Sequence, residues 1–278
     1  MGGMDTSATL TDRIALTRNR KRANPDALFL HQVAADEIHE RLKEVNRTFP
    51  DVAIVTGQPE FWTQQFPNAT VVSDDEVLDL KPASFDLVLH MMALHWANDP
   101  VGQLVQSRNA LRPDGLLLAT CFGGQTLHEL RSALAEAEAV VAGGLSPRIA
   151  PMGEIRDLGG LLQRAGLALP VADGTPLTVS YANAFHLMHE LRQMGEANAL
   201  MHRPRTFTMR NILTEAATLY AEHFTNDEGR VDATFELITL TGWAPSNTQP
   251  KPLRPGSATT RLADALGTQE TPLEPDQD

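Results

Sequence analysis

The chain has 278 residues, 42% of them hydrophobic and 21% charged, and this ordinary globular composition excludes a fully disordered or fibrous protein. The formal net charge is -12, so nonspecific attraction to nucleic acid or to an anionic membrane surface is not expected, and a basic partner fits this field better. One positive cluster, Arg18–Arg22, reads either as a solvated N-terminal arm or as a docking arm.

Cysteine content and hydropathy bound the location. Cys121 is the only cysteine, which rules out an internal disulfide or a cysteine zinc site and fits a reducing compartment. The N-terminal segment carries the charged residue Asp5 and has no apolar stretch of signal-peptide length. No stretch of the sequence approaches the ~18 apolar residues of a membrane span. We therefore expect a cytoplasmic protein without direct membrane insertion.

Composition divides the chain into three parts. Residues 1–23 are expected to form a flexible N-terminal arm and residues 24–245 the folded domain. Residues 246–278 are rich in Pro, Ser, Thr, Gln and Asp and are expected to form a tail.

The first half of the domain alternates helical and strand patterns. Asp26–Arg47 has the apolar spacing of an amphipathic helix. Val52–Val55 is a short β-branched run ending at Gly57, which is typical of a strand buried on both faces, and Thr70–Val72 is a shorter candidate. These patterns predict an α/β fold with a parallel sheet.

A βαβ unit follows. Phe85–His90 is the strongest strand pattern, and Asp99 and Pro100 suit the N-cap and first position of the next helix. Arg112–Gly115 has the residues of a tight turn, with glycine supplying a positive φ, before the strand Leu116–Thr120. We expect these strands and the first strand to be neighbours in one sheet.

The second half predicts more helices than strands. A capping-box pattern opens the first of these helices, and double glycine ends it. The expected helices are Thr126–Val141, Asp157–Ala165, Ala184–Met194 and Met209–Phe224, and the expected strands are Leu177–Tyr181 and Ala233–Leu240.

Several motifs carry a family resemblance. They are Phe85–Val88, Leu94–Trp96, Leu111–Gly115, Phe122–Arg131, Gly143–Pro147, Asp157–Gly166, Thr241–Pro245 and Pro255–Ala258. Over roughly residues 12–262 the chain resembles the class I S-adenosylmethionine-dependent methyltransferase-like family. Within it, the chain is similar to the subgroup of the mitochondrial complex I assembly factor 5 and its bacterial relatives.

The resemblance implies a seven-stranded, Rossmann-like, mostly parallel sheet with late helical insertions. It also implies a role in assembling NADH:quinone oxidoreductase (respiratory complex I), with a subunit of that complex as protein substrate. The subgroup's activity is hydroxylation of a subunit arginine, whereas the fold itself suggests methyl transfer from S-adenosylmethionine.

The glycine-rich turn of the family is degenerate here. Such a turn lets backbone approach the cofactor closely, and an acidic residue normally precedes it. In this chain Ile54 stands at the acidic position, and only Gly57 remains of the glycines, followed by Gln58, Pro59 and Glu60. Each lost charge-assisted hydrogen bond is worth about 1.5–3 kcal/mol, so ordinary cofactor binding is expected to be strongly weakened.

The segment after the turn is also short. The family's acidic adenine-flanking motif corresponds to Ser73–Leu78, too close to Gly57 for a strand, a helix and a ribose-binding acid between them. We infer that one βα unit has been trimmed. This predicts at most one short helix in Gln58–Asn68 and places Ser73–Leu78 near the carboxyl end of the first strand.

Four residues are candidates for cofactor binding: Gly57, Asp74, Asp75 and His90. The two aspartates align with the adenine-contacting motif, or simply form an acidic turn. His90 is expected just past its strand, at the sheet edge where α/β folds bind ligands, although a lone histidine is often structural.

Three residues are candidates for substrate contact: His95, Trp96 and Trp243. The tryptophans could form an aromatic floor or could be packing residues. His95 and Trp96 could converge with His90 and Tyr181 at the carboxyl edge of the sheet. The pattern assigns no catalytic residue, and it predicts no metal site because no histidine pair has zinc-ligand spacing.

Three functions remain open at the level of sequence. The chain could be an enzyme of the complex I assembly type, modifying an arginine side chain. It could be a catalytically inactive pseudo-methyltransferase that acts as a binding or assembly factor. It could also be a small-molecule methyltransferase with an atypical cofactor pocket.

Overall fold

A computed structural model describes residues 9–249 and 260–268, so the predictions on residues 1–8 and the Pro255–Ala258 motif lie outside the described residues. The chain divides into two compact units, Met1–Ser246 and Asn247–Asp278. The helices are α1 Arg13–Arg20, α2 Phe29–Val45, α3 Pro59–Gln65, α4 Pro100–Ala110, α5 His128–Ala142, α6 Ile155–Arg164, α7 Ala184–Met194, α8 Arg210–Phe224 and, in the second unit, α9 Leu262–Leu266. The strands are β1 Val52–Thr56, β2 Thr70–Ser73, β3 Phe85–Met91, β4 Leu111–Phe122, β5 Ala168–Tyr181 and β6 Val231–Trp243.

The sheet confirms the predicted α/β class. Its order is β2-β1-β3-β4-β6-β5, with parallel pairing from β2 to β4 and antiparallel pairing of β6 with both of its neighbours. Five strands therefore point one way and β6 the other, which gives a mostly parallel, Rossmann-like sheet. The prediction that β1, β3 and β4 are neighbours is confirmed.

The sheet has six strands instead of the family's seven, as the trimmed βα unit predicts. Between Gly57 and Asp74 lie both the seven-residue helix α3 and the four-residue strand β2, so the prediction of at most one short helix is confirmed. The expectation that this segment is too short for a strand and a helix together is wrong, because each of the two is short. The register pairs Thr56 with Ser73, so Asp74 leaves β2 beside the carboxyl end of β1. Trimming thus brings the adenine-flanking motif directly next to the first strand.

Alternation along the buried strands divides the core into two layers. Ile54, Leu87 and Leu89 pack in the cluster on one face of the sheet. Ala53 and Val88 pack in the cluster on the other face. Successive strand residues point to opposite faces, which is why these uninterrupted apolar runs signal a strand covered on both sides.

Two local predictions are wrong in their details. Helix α5 begins at His128, with Leu127 at a φ of 54°, because Thr126 bonds the backbone of β6 and the side chain of Glu129 accepts from Thr234. No capping box forms. The predicted turn Arg112–Gly115 lies within β4, where it forms an irregularity in the pairing with β3. The positive φ, 64°, belongs to Asp114 and not to the glycine.

Part of the predicted N-terminal arm, within the described residues 9–23, forms a packed helix. Helix α1 is capped by Asp12, which accepts from the Ala15 amide, and its Ala15 and Leu16 side chains are buried. The Asp12 amide donates to the carbonyl of Ala199 at 2.8 Å. This packing was missed because an eight-residue helix rich in arginine resembles a solvated segment in composition alone.

Candidate functional site

The carboxyl ends of β1 and β2 border a cavity of about 710 Å3. Its walls come from α1, from the start of α3 and from the ends of both strands. Of the predicted cofactor residues, Gly57 and Asp74 line this cavity. Ligands of open α/β sheets bind at this edge, where the carboxyl ends of the strands meet.

Asp74 is the most strongly held charge of the site. Its side chain is buried, and Arg20 Nη1 donates to its Oδ1 at 2.7 Å while Arg13 Nη1 donates to its Oδ2 at 3.1 Å. Arg13 Nη2 also donates to the Asp74 carbonyl at 2.8 Å. Burial opposes ionisation, but the two guanidinium groups outweigh it and hold the pKa of Asp74 well below its ordinary value.

Arg20 also covers the remaining glycine of the cofactor turn. The guanidinium lies where a Cβ on Gly57 would be, so the open face of this glycine is filled by the chain's own side chain. One nitrogen of that group, Nη2, is buried without a hydrogen-bond partner among the described residues. The missing side chain of Gly57 therefore leaves space that the Arg20 guanidinium occupies.

These contacts do not fit S-adenosylmethionine in the family's ordinary mode. A cofactor needs the backbone face at Gly57, which Arg20 occupies, and a carboxylate free to accept from it, whereas both oxygens of Asp74 are engaged. Glu60, in the first turn of α3, adds a further carboxylate to the cavity wall. Binding in that mode would require Arg20 to leave.

His90 reaches the site only through a glutamine. It lies inside β3 and is fully buried, and its Nε2 is 2.7 Å from Gln103 Oε1. Gln103 Nε2 donates to the carbonyls of Asp74 and Asp75 at 2.9 and 3.1 Å, so Oε1 must accept and His90 Nε2 must donate. Burial lowers the pKa of His90, which keeps the imidazole neutral. His90 thus positions the acidic loop without lining the cavity.

Asp75 points to solvent, and its Oδ1 is 3.6 Å from Arg13 Nη2. It supports the arginine that binds its neighbour. Among the predicted cofactor residues, Gly57 and Asp74 therefore face the cavity, whereas Asp75 and His90 stand behind or beside it.

His95 and Trp96 converge on a carboxylate that the sequence did not reveal. Glu196 accepts from Trp96 Nε1 at 2.6 Å, and its Oε2 is 3.4 Å from His95 Nε2. His95 packs against Phe122 with ring centroids 4.7 Å apart. Burial opposes ionisation of Glu196, but its contacts with His95, Arg20 and Trp96 lower its pKa overall. Two of the three predicted substrate residues, His95 and Trp96, thus contact a buried carboxylate.

The segment carrying Glu196 also binds α1. Asn19 Nδ2 donates to the Ala197 carbonyl at 2.9 Å, and the Asn24 amide donates to the Gln193 carbonyl at 2.7 Å. Gly195 has a φ of 86°, and a Cβ there would meet Arg20 Cα at 3.1 Å. The end of α7 therefore fixes the arginine that covers the cofactor turn.

Trp243 is not at this edge. It pairs with Leu116 at the amino end of the inner part of β4, and the guanidinium of Arg47 lies 5.2 Å from its ring. His90 pairs with Ala119, further along the same strand. Tyr181 ends β5 and is buried in the core. The structure thus brings His95 and Trp96 together and leaves Trp243 at the far end of the sheet.

Sequence reasoning missed Arg13, Arg20 and Glu196. The two arginines are seven residues apart, which places them on one face of a helix, so their spacing carried a signal once a helix was assumed. Glu196 follows the glycine that ends α7 and gave no local signal. Its role depends on long-range packing.

Metal and membrane features can be assessed over the described residues. Within them, no group of three or more His, Cys, Asp or Glu side chains is arranged to hold a metal ion. No helix in that part of the chain is long and apolar enough to cross a membrane.

Comparisons with known proteins give matches to methyltransferases and to an arginine-hydroxylase. A methyltransferase domain model matches residues 36–119. The zebrafish (Danio rerio) arginine-hydroxylase NDUFAF5, mitochondrial, is 38% identical over 202 residues, covering 73% of this chain and 63% of that protein. A malonyl-[acyl-carrier protein] O-methyltransferase of Xylella fastidiosa is 35% identical, covering 65% of this chain and 59% of that protein.

A solved structure, the YcgJ protein from Bacillus, has a TM-score of 0.46 at 12% identity, covering 72% of this chain and 94% of that chain. The chain thus matches the methyltransferase domain family over residues 36–119, and it has a Rossmann-like sheet. Within that family it is similar to the NDUFAF5 subgroup, as its sequence motifs indicated, although it spans less than two thirds of the length of those relatives.

Proposed function

We propose that this protein is a methyltransferase-like assembly factor of NADH:quinone oxidoreductase that docks to an arginine-bearing segment of a subunit. The likeness to arginine-hydroxylase NDUFAF5 over 73% of the chain supports the partner class. The observation that carries the mode of action is the engagement of Asp74 and Gly57 by Arg20. An edge closed in this way favours docking over methyl transfer by the ordinary route.

Charge supports a basic partner. The chain has 35 acidic residues against 23 Lys and Arg, a net charge of -12. A negative surface attracts a cationic segment and speeds its encounter at low salt. The relatives that share this subgroup are named as mitochondrial, so a cytoplasmic location for this chain stays a prediction.

A second candidate, chemical modification of the bound arginine, is favoured by the Glu196 cluster. A carboxylate between His95 and Trp96 is costly to bury, and such groups concentrate at functional sites. A guanidinium is the side chain that such a carboxylate recognises best. S-adenosylmethionine is the cofactor implied by the resemblance, and its use here would require α1 to withdraw Arg20.

Deletion of the gene in its own host tests the part common to both candidates. We expect the strain to lose assembled NADH:quinone oxidoreductase, measured by native gel and by NADH oxidation in membranes. Re-expression of the chain should restore both readouts. Normal assembly in the deletion strain would rule out docking and modification alike.

A cavity-filling variant separates docking from chemistry. Ser73 is exposed and lines the cavity beside Asp74, so Ser73→Trp fills the space and leaves the contacts of Asp74 in place. Ser132→Trp, on the exposed face of α5, is the matched control. We expect both variants to restore assembly. Failure of Ser73→Trp alone would show that the cavity must admit a ligand, and would favour the enzyme.

Titration with S-adenosylmethionine tests the closed edge directly. Isothermal titration of the intact chain should show no binding at a cofactor concentration of about 1 mM, because Arg20 fills the face of Gly57. The Arg20→Ala variant is titrated in parallel, because it lacks the guanidinium that fills this face of Gly57. Binding by the wild-type chain at micromolar concentration, weakened by Ser73→Trp, would contradict the closed edge.

A further inference from the structure

The exposed face of α1 and the segment after α7 form one basic surface. Two adjoining concavities of about 600 and 530 Å3 share Ile14 and Arg18 in their walls. Asp12 is the one acidic side chain in these walls. The cations are Arg13, Arg18, Lys21, Arg22, Arg203 and Arg205.

This surface opposes the charge of the rest of the chain. Residues 13–22 hold five Lys and Arg and residues 202–210 hold three, eight of the chain's 23, with no Asp or Glu in either segment. The other 15 cations share the remainder with all 35 acidic residues. Six of these eight cations, all but Arg20 and Arg210, line the one small surface.

Half of these six cations are available to a partner. Arg18, Lys21 and Arg22 are exposed and make no ion pair among the described residues. Asp12 is occupied, since Arg205 Nη1 donates to its Oδ2 at 3.0 Å and Arg203 Nη1 forms an ion pair with the same oxygen at 3.0 Å. The Ala15 amide and these arginines lower the pKa of Asp12 to about 2, so it stays ionised and neutralises one cation at most.

Apolar side chains project from the same segments. Ile14 is 84% exposed within the shared wall of the two concavities. Phe207, two residues beyond Arg205, is 102% exposed, and Met209 is half exposed. Exposed aromatic and arginine side chains together are the composition of protein-binding hot spots.

We propose that this basic surface docks an acidic, apolar-bearing peptide segment of a partner protein. Guanidinium groups bind carboxylates through paired hydrogen bonds, and the hollows between α1 and residues 203–205 suit an extended peptide better than a flat bilayer. The surface lies outside the lining of the cavity except for Arg13, Thr17 and Lys21. Docking here is independent of the proposed function, which concerns the binding of a basic segment.

The probe is a fluorescein-labelled synthetic peptide of six acidic residues around a central Leu-Phe pair. Fluorescence anisotropy of the full chain should give saturable binding that weakens with salt. The triple variant Arg18→Gln, Lys21→Gln, Arg22→Gln should lose at least about tenfold in affinity. The control Lys43→Gln, Arg156→Gln, Arg164→Gln makes the same charge change at exposed positions elsewhere and should bind as the wild type does.

Phe207→Ser should weaken binding of this peptide, and replacement of the peptide's Leu-Phe pair by Ser-Ser should remove that difference. Equal binding by the two triple variants, or no binding by the wild type, would overturn the proposal. Co-sedimentation with vesicles of 70% phosphatidylcholine and 30% phosphatidylglycerol is the other arm. Binding to vesicles but not to the peptide, lost in the first triple variant, would assign the surface to a membrane instead.

Discussion

The carboxylate of Asp74 depends on two arginines, and their removal should be felt in stability. Arg20→Ala leaves Asp74 buried with Arg13 as its only guanidinium partner. Removing one partner from a buried ion pair is strongly destabilising, because the remaining charge is left undercompensated. We expect Arg20→Ala to lower the free energy of unfolding by about 2–3 kcal/mol, measured by urea denaturation.

Arg18→Ala is the matched control for that measurement. Arg18 lies on the same helix but is exposed and makes no ion pair among the described residues, so its loss should change stability by less than about 0.5 kcal/mol. The double variant Arg20→Ala, Asp74→Ala should cost less than the two single changes together. Equal effects of Arg18→Ala and Arg20→Ala would contradict the buried pairing.

His31 should make the fold sensitive to mild acid. It is buried in α2, its Nδ1 accepts from Trp62 Nε1 at 3.1 Å, and burial lowers its pKa to about 4. Between the ordinary pKa of about 6.5 and pH 4, the unfolded chain binds a proton here that the folded chain does not. Stability should therefore fall as pH falls through this window, by up to about 1.4 kcal/mol per pH unit.

The variant His31→Asn tests this link, because the amide oxygen of asparagine can accept from Trp62 as Nδ1 does. Its stability, followed by urea denaturation from pH 7 to pH 4, should decrease less steeply than that of the wild type. His90, also buried and neutral, keeps part of the slope. His202→Asn, at an exposed position, should retain the wild-type slope. A wild-type slope in His31→Asn would contradict the assignment.

At the scale of elements, the sequence predicted what neighbouring residues determine by themselves. The apolar runs of β1, β3 and β4 and the bounds of α7 follow from local periodicity. The six-strand sheet agrees with the one trimmed βα unit that the short distance between Gly57 and Asp74 indicated, although that distance holds a short helix and a short strand after all. The start of α5 was not predicted correctly, since the side chain of Glu129 accepts a hydrogen bond from β6 instead of capping its own helix.

The candidate site was less predictable than the fold. Gly57 and Asp74 were found because a family motif marks them. Their partner Arg20 is brought in by packing between α1 and the end of α7, which no local pattern encodes. The same is true of Glu196, the partner of His95 and Trp96. A helix as short as α1 has little intrinsic stability, so its existence depends on that packing.

Alanine substitutions at three glycines test how tightly the end of α7 fits against α1. Gly195 ends α7, whereas Gly143 and Gly144 follow α5 and serve as controls. Gly143 and Gly195 both have positive φ, at 69° and 86°, but only at Gly195 would a Cβ meet backbone, that of Arg20. Gly144 has neither feature. Alanine should cost about 1 kcal/mol at Gly143, clearly more at Gly195, and almost nothing at Gly144, measured by thermal and urea unfolding. Equal costs at Gly143 and Gly195 would mean that α1 does not press on this turn.

At the scale of the whole molecule, salt should act in opposite directions on folding and on docking. The net charge of -12 destabilises the compact state through repulsion among acidic residues, and salt screens that repulsion. The buried pairs on Asp74 are screened much less. We therefore expect the midpoint of thermal unfolding to rise between 10 and 150 mM NaCl, measured by circular dichroism. Over the same range, the acidic peptide should dissociate from the α1 surface, because that contact depends on exposed charges. A midpoint that falls with salt would show that surface ion pairs, such as Lys43–Glu40, contribute more to stability than repulsion removes.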